Sequence, residues 1–302
     1  MAVVIRVAAS EPTQASVGRF RVLKVLGEDD SGTVYAARDP SSDRTVALKV
    51  FASHGLDAAG RSRWAREAQA MTRICHPNVL SVVDAGLHGR QPFVATELVR
   101  GTSLHDVLRR RRLPVSESIE LFAQIARGLH AVHDAGLVHW AFTPQNVLVA
   151  PDTRPLLTDF SIADPAAEAH TSTGTGPVLG TPRYMAPEQV AGQPPTAASN
   201  QFSFGVALYE VLFSRHPFVH TDLASLRSAV LEGQLESSPP RRVPSGIRTA
   251  VLRCLQRNPE HRFASMLEVA DALESVRRPT PLLMGMGLCV GAGLALAVLS
   301  TV

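Results

Sequence analysis

Apolar and polar side chains alternate along Phe20–Gly27 (FRVLKVLG), the period of a half-buried strand. Thr33–Arg38 and Thr45–Phe51 are two more short strand-like runs. Asp39–Arg44 (DPSSDR) between them is turn chemistry, so the spacing predicts a hairpin. From Asp57 to Ile74 the apolar positions move to helical spacing, and Pro77 follows as a stop. Leu80–Ala85 and Pro92–Leu98 predict two further strands. The first hundred residues therefore predict a five-stranded sheet with one helix. Residues 1–19 read as a leader before it, with an extra edge strand as an option.

After Gly101 the period is helical. Leu104–Arg111 predicts a short helix and Ser116–Ala135 a long one, with Ser116 as N-cap and Ile119, Phe122, Ile125, Ala126 and Leu129 as its apolar stripe. Val147–Thr158 predicts two short strands around a turn at Pro151–Pro155. Asp164–Val178, rich in Ala, Thr, Gly and Pro, reads as a loop. Helices are expected at Asn200–Phe213, Asp222–Glu232, Ile247–Gln256 and Ser265–Val276. A β-rich part (20–99) followed by a helical part (100–276) is an α+β chain with a cleft between two lobes.

Composition changes this picture little until the C-terminus. A net charge of +3 does not single out nucleic acid as a partner. Cys75, Cys254 and Cys289 are far apart and form no C-x-x-C, so reduced cysteines fit better than disulfides or a zinc site. Leu282–Val302 carries no charge, and as a helix it would span about 31 Å, the thickness of a bilayer core. A buried core helix is the other reading. Arg277 and Arg278 flank it within a linker, 277–281. The expectation is one transmembrane helix in the inner membrane, with residues 1–280 cytoplasmic. Gly287 and Gly291 form a G-x-x-x-G that would suit a homodimer, although small residues are frequent in such helices. Arg109–Arg112 is a basic run at a helix C-terminus; solvation there or contact with anionic lipid would each explain it.

The candidate chemistry lies in five stretches. Gly27-Glu28-Asp29-Asp30-Ser31-Gly32-Thr33-Val34 has the outer glycines of G-x-G-x-x-G-x-V. Val46-Ala47-Leu48-Lys49 is close to V-A-I-K. His139–Asn146 (HWAFTPQN) follows H-R-D-L-x-x-x-N at its His and Asn. Asp159-Phe160-Ser161 stands for D-F-G, and Gly180–Glu188 reads GTPRYMAPE. Together they are in order over residues 20–276, and the chain resembles the bacterial Ser/Thr protein kinases.

That resemblance implies the bilobal kinase fold and ATP with Mg²⁺ or Mn²⁺ as ligands. It places Gly27, Gly32, Val34, Ala47, Glu97, Val99 and Leu148 around the nucleotide, with Thr96 limiting the depth of the pocket. It gives Lys49 to the α- and β-phosphates with Glu67 as its partner, and Asn146 and Asp159 to the metal. It makes His139 a buried structural residue against Phe160, Met71 and Val82, and pairs Glu188 with Arg262.

The departures concern one reaction. Ala141 stands where the family has its proton-accepting Asp, and no other carboxylate lies in His139–Asn146. Thr143 replaces the Lys that faces the γ-phosphate, and Trp140 replaces the Arg of the motif. Asp29, Ser161 and Asn200 replace Gly, Gly and Asp. Glu28, Asp29 and Asp30 put three carboxylates where phosphates would lie. Losing a positioned base costs on the order of 10² to 10⁴ in rate. The expectation is a membrane-anchored pseudokinase that binds ATP weakly and works through a signalling partner. The alternative is an active Ser/Thr kinase with a non-standard catalytic loop acting on protein hydroxyls, with Thr171, Ser172, Thr173 and Thr175 as autophosphorylation candidates. A scaffold that binds no nucleotide is the third reading.

Overall fold

The structure is a computed structural model and describes residues 15–29, 32–52, 58–139, 142–159, 182–236 and 243–276. The first lobe is an antiparallel sheet of β1 (Ser16–Val17), β2 (Phe20–Asp29), β3 (Gly32–Asp39), β4 (Arg44–Phe51), β5 (Val82–His88) and β6 (Gln91–Glu97), in the order β1-β2-β3-β4-β6-β5. This is six strands rather than five. Ser16 and Val17, read as leader, pair with Arg21 and Phe20 and extend the edge by two residues. Period-two alternation divides β4 between two environments. Val46 and Leu48 face a compact core with Phe20, Ala37, Phe93 and Ala95, while Ala47, Lys49 and Phe51 line the cleft. Helix α1 (Ala58–Met71) docks on this lobe through Trp64, whose indole N–H donates to Gly86 O at 3.0 Å and whose ring meets Phe51 edge-on at 5.1 Å.

The second lobe holds β7 (Thr102–Ser103), α2 (Leu104–Arg110), α3 (Val115–Asp134), β8 (Val147–Val149), β9 (Pro155–Leu157), α4 (Pro187–Val190), α5 (Ala197–Phe213), α6 (Leu223–Glu232), α7 (Ser245–Cys254) and α8 (Met266–Ser275). Helix α3 begins one residue earlier than the sequence suggests, and its N-cap is Pro114, not Ser116. Proline needs no amide hydrogen at this place, and Ser118 Oγ donates to Pro114 O at 2.9 Å instead. Helix α5 is buried over nearly its whole length, although its first turns read Ser-Asn-Gln-x-Ser. Each of these polar side chains is hydrogen-bonded to a segment packed against the helix. Ser199 Oγ donates to Glu188 at 2.8 Å and Ser203 Oγ to Tyr184 O at 2.7 Å. The Gln201 amide accepts from Phe263 N at 2.7 Å and donates to Phe263 O at 3.1 Å. Polar residues here are the means by which one central helix organises the chain around it.

The two lobes meet through Leu98–Gly101 and a parallel bridge between Val79 and Leu157, with Leu80 N donating to Leu157 O at 2.9 Å and Leu157 N to Asn78 O at 2.9 Å. No helix among the described residues is long and apolar enough to cross a membrane. Leu282–Val302, expected to be one, lies outside them.

Candidate functional site

The cleft between the lobes encloses about 960 Å³ of empty space, counting the solvent at its mouth. Leu26, Val34 and Ala47 line it from the sheet, Leu148 from the second lobe and Val99 from the connection. This is an apolar slot suited to a flat ring. Glu97 and Thr96 also line it, and Thr96 Oγ1 donates to Glu97 O at 3.3 Å.

The polar groups converge at one end. Lys49 Nζ lies 3.0 Å from Asp159 Oδ1, with side-chain exposures of 16% and 27%, so the pair is half-buried but reachable. Strand pairing sets the lysine's height: Lys49 is registered with Val34 on one side and Val94 on the other. Asp159 has φ +50°, a left-handed conformation that Asp adopts more readily than most side chains. Glu67 is half-buried on α1. Asn146 is half-buried in the turn just before β8, and its carbonyl accepts from Thr158 N at 3.0 Å, which ties it to the segment leading to Asp159.

Gly27 and Gly32 lie on facing strands, Gly27 opposite Val34 and Gly32 opposite Asp29. Gly32 has φ +145°, and a Cβ there would stand 2.1 Å from Val50 O. Only glycine fits, so this residue is required by the β3–β4 approach as well as by any phosphate.

His139 is fully buried. Its Nε2–H donates to Thr158 O at 3.0 Å, and burial pushes its pKa down to about 4, so the ring is neutral. It is a strut, as the resemblance implied. Asn200 holds the same segment from below: its Oδ1 accepts from His139 N at 2.9 Å and from His133 Nε2 at 2.9 Å, and its amide donates to His139 O. An Asp could accept two of these bonds but could not donate the third.

Glu188 and Arg262 meet as expected. Arg262 Nη1 and Nη2 reach Glu188 Oε1 and Oε2 at 2.8 and 2.9 Å, and Arg262 also donates to Ala198 O at 2.8 Å and to Gln256 O at 2.8 Å. With the arginine side chain 0% exposed, these bonds satisfy a charge that would otherwise be costly to bury.

Leu26 and Gln145 are among the lining residues that the sequence pattern did not single out. Leu26 lies at the register shift between Val25 and Gly27 in β2, which breaks the simple alternation. Gln145 faces the cleft, and its buried Oε1 has no hydrogen-bond partner among the described residues. A hydroxyl-bearing ligand would satisfy that atom; nothing in the sequence marks it. Trp140, Ala141, Phe160, Ser161 and the hydroxyls at Thr171–Thr175 lie outside the described residues, as do Asp30 and the side chain of Asp29.

The residues present suit a nucleotide with a divalent cation: an apolar slot, with the Lys49 ammonium and the Asp159 carboxylate side by side in its lining. Asn146 and Asp159 would hold the metal, since Mg²⁺ takes few protein oxygens and completes its shell with phosphate and water.

Residues 20–274 match the family model for the protein kinase domain. The chain belongs to that family. Over 270 residues it is 38% identical to serine/threonine-protein kinase pkn2 of Myxococcus xanthus, which covers 85% of this chain and 32% of that protein. It is 34% identical over 267 residues to serine/threonine-protein kinase PknA of Mycobacterium tuberculosis, covering 86% of this chain and 62% of the relative. PknJ of the same species is 33% identical over 264 residues, 84% of this chain and 44% of the relative. The chain thus spans between about a third and under two-thirds of these relatives. As a protein kinase family member it has the bilobal fold described above, and the family generally uses ATP and a divalent metal.

Proposed function

We propose that this kinase domain holds ATP and a divalent cation in the cleft and transfers the γ-phosphate slowly or not at all, so that it acts chiefly through a signalling partner. The observation that carries the binding half is the Lys49–Asp159 pair within an apolar slot. Ala141 in HWAFTPQN carries the other half. A substrate hydroxyl would find no carboxylate in that loop to take its proton, and Thr143 offers no charge to the γ-phosphate. Bound metal would offset charge on the phosphates but would not replace the missing base. Lys49 would hold the phosphates, Asn146 and Asp159 the metal, and Leu26, Val34, Ala47, Val99 and Leu148 the base.

The second reading is an active Ser/Thr kinase. Two observations favour it: the relatives are named serine/threonine-protein kinases, and Lys49, Asn146 and Asp159 are all retained. Thermal denaturation of the full chain with ATP and Mg²⁺ or Mn²⁺, beside γ-phosphate transfer to a generic protein, separates the readings. We expect nucleotide to raise the melting midpoint, Lys49→Ala to abolish that rise, and transfer to stay at background. Phosphate incorporation that Lys49→Ala removes would establish the active kinase. A midpoint indifferent to ATP would leave a scaffold.

We further propose that Leu282–Val302 anchors the domain at the inner membrane face, supported by its uncharged sequence beside Arg277 and Arg278. Extraction of the full chain from membranes by alkaline carbonate would refute this.

A further inference from the structure

Lys49 and Phe51 stand two positions apart on β4, so both project to the cleft side of the sheet. Lys49 Nζ lies 5.2 Å from the centroid of the Phe51 ring, within the range at which an ammonium is attracted to an aromatic face. The Asp159 carboxylate lies 3.0 Å from the same nitrogen.

The ring is itself held. Trp64 of α1 meets it edge-on, with centroids 5.1 Å apart and planes at 70°, an arrangement that aromatic pairs favour. Trp64 is 4% exposed, and its indole N–H donates to Gly86 O of β5 at 3.0 Å. On the strand side Phe51 is registered with Gly32, where a Cβ would stand 2.8 Å from Phe51 Cα, so β3 closes tightly on β4 at this residue. Helix α1, β5 and β3 thus restrict the Phe51 ring, and the ring borders the lysine.

The chain has two lysines, Lys24 and Lys49. Lys24 is exposed on β2, whereas the Lys49 side chain is only 16% exposed. A lysine that must be ordered when a ligand arrives costs affinity, because its rotamers are lost at that moment. A ring that already orders it removes that cost. Leucine at position 51 would fill much of the space without the negative face of the ring, and would leave the ammonium to Asp159.

We infer that Phe51, fixed by Trp64, is a positioning residue for Lys49 and holds its ammonium in the cleft before an anionic ligand arrives. The consequence for nucleotide rests on the ATP reading given above; the positioning itself does not.

The first readout needs no nucleotide. In the full chain carrying ¹³C-labelled lysine, the ring current of Phe51 should displace the Lys49 ε-methylene protons upfield of those of Lys24. Phe51→Leu should bring them to the Lys24 position, Trp64→Leu should move them part of the way, and Phe51→Tyr should leave them displaced. The second readout is titration calorimetry with ATP and Mg²⁺ and, separately, with adenosine, which has no phosphate for Lys49 to meet. Phe51→Leu should weaken ATP about three- to fivefold and leave adenosine unchanged, and Phe51→Tyr should keep the parental affinity for both. A Lys49 signal that coincides with Lys24 in the parent, or that Phe51→Leu leaves in place, overturns the proposal. An ATP affinity indifferent to Phe51→Leu does the same, as does an equal loss for ATP and adenosine, which a merely reshaped cleft would give. The melting midpoint of each variant checks that it folds, and Phe51→Met, which also lacks the ring, takes the place of Phe51→Leu if that variant does not. A parent that binds no ATP while its Lys49 signal is displaced and responds to Phe51→Leu would sink the nucleotide reading and leave this one standing.

Discussion

Lys49 and Ala141 carry opposite messages, and both are single residues. Lys49 sits at a fixed height because strand pairing on both sides holds β4, and its ammonium meets Asp159 at 3.0 Å. A lysine placed this way, in an apolar slot beside a carboxylate, would suit the phosphates proposed above. Ala141 supplies nothing to a proton. If the base is the main loss, restoring it should restore chemistry. Ala141→Asp in the full chain should raise γ-phosphate transfer at least tenfold over the parent, below the roughly 10² to 10⁴ of a complete base because Thr143 remains. A second change, Lys49→Ala, should cancel the gain; no gain would show that the departures around the loop matter more than the base. The runs that carry Lys49, Asn146 and Asp159 were legible in the sequence, because their order and spacing recur, and the structure brings Lys49 to Asp159. Gln145 was not, since an unsatisfied buried oxygen exists only once the chain has folded around it.

Between elements, close approach decides what side chains are allowed. Helix α3 carries Gly128 in its middle, where alanine would favour the helix by about 1 kcal/mol. A Cβ at that position would stand 2.8 Å from Asn78 O and 3.0 Å from Leu157 Cδ1. Asn78 O is the acceptor for Leu157 N, and Asn78 Nδ2 donates to Pro155 O at 3.0 Å, so the backbone there cannot retreat without loosening β9. Gly128→Ala should therefore destabilise, by about 1–2 kcal/mol net, measured by chemical denaturation. A stabilised variant would mean that the lobes' junction is softer than this packing implies. Helix and strand positions were largely legible from periodicity, with ends shifted by up to three residues. The misread ends have local causes: Ser116 carries a capping type of side chain, but Pro114 already starts the helix, and Ser16–Val17 is too short a run to show a period.

At the scale of the whole molecule, several ionisable groups are held by burial. His139 is pushed down to about 4, and His133 and His216 are also lowered, by desolvation first in each case. A histidine that resists protonation in the fold stabilises it fully above its unfolded pKa of about 6.5 and loses that contribution as the pH falls toward its folded value. Glu188 acts in the same direction. Burial opposes its ionisation, but hydrogen bonds from Arg262 outweigh this and lower its pKa, so its contribution too is lost on acidification. The melting midpoint of the full chain should be nearly flat above about pH 7 and fall steadily from about pH 6.5 to 4. Calorimetry across that range checks it; a flat profile would mean that the buried histidines are solvated.

The order of strands and helices, the family and the candidate nucleotide residues follow from the chain alone, because period and motif are local properties. That position 141 is Ala and not Asp is local as well, since one residue type either can or cannot accept a proton. What tertiary structure decided is whatever depends on two distant segments meeting. Asp159 reaches Lys49 across 110 positions, the Asn200 amide clamps both sides of His139, and Arg109, Arg111 and Arg112 come to border one cavity with Pro144 and Val211. Distances between side chains far apart in the chain are set by packing around α3 and α5, and no period or motif records them.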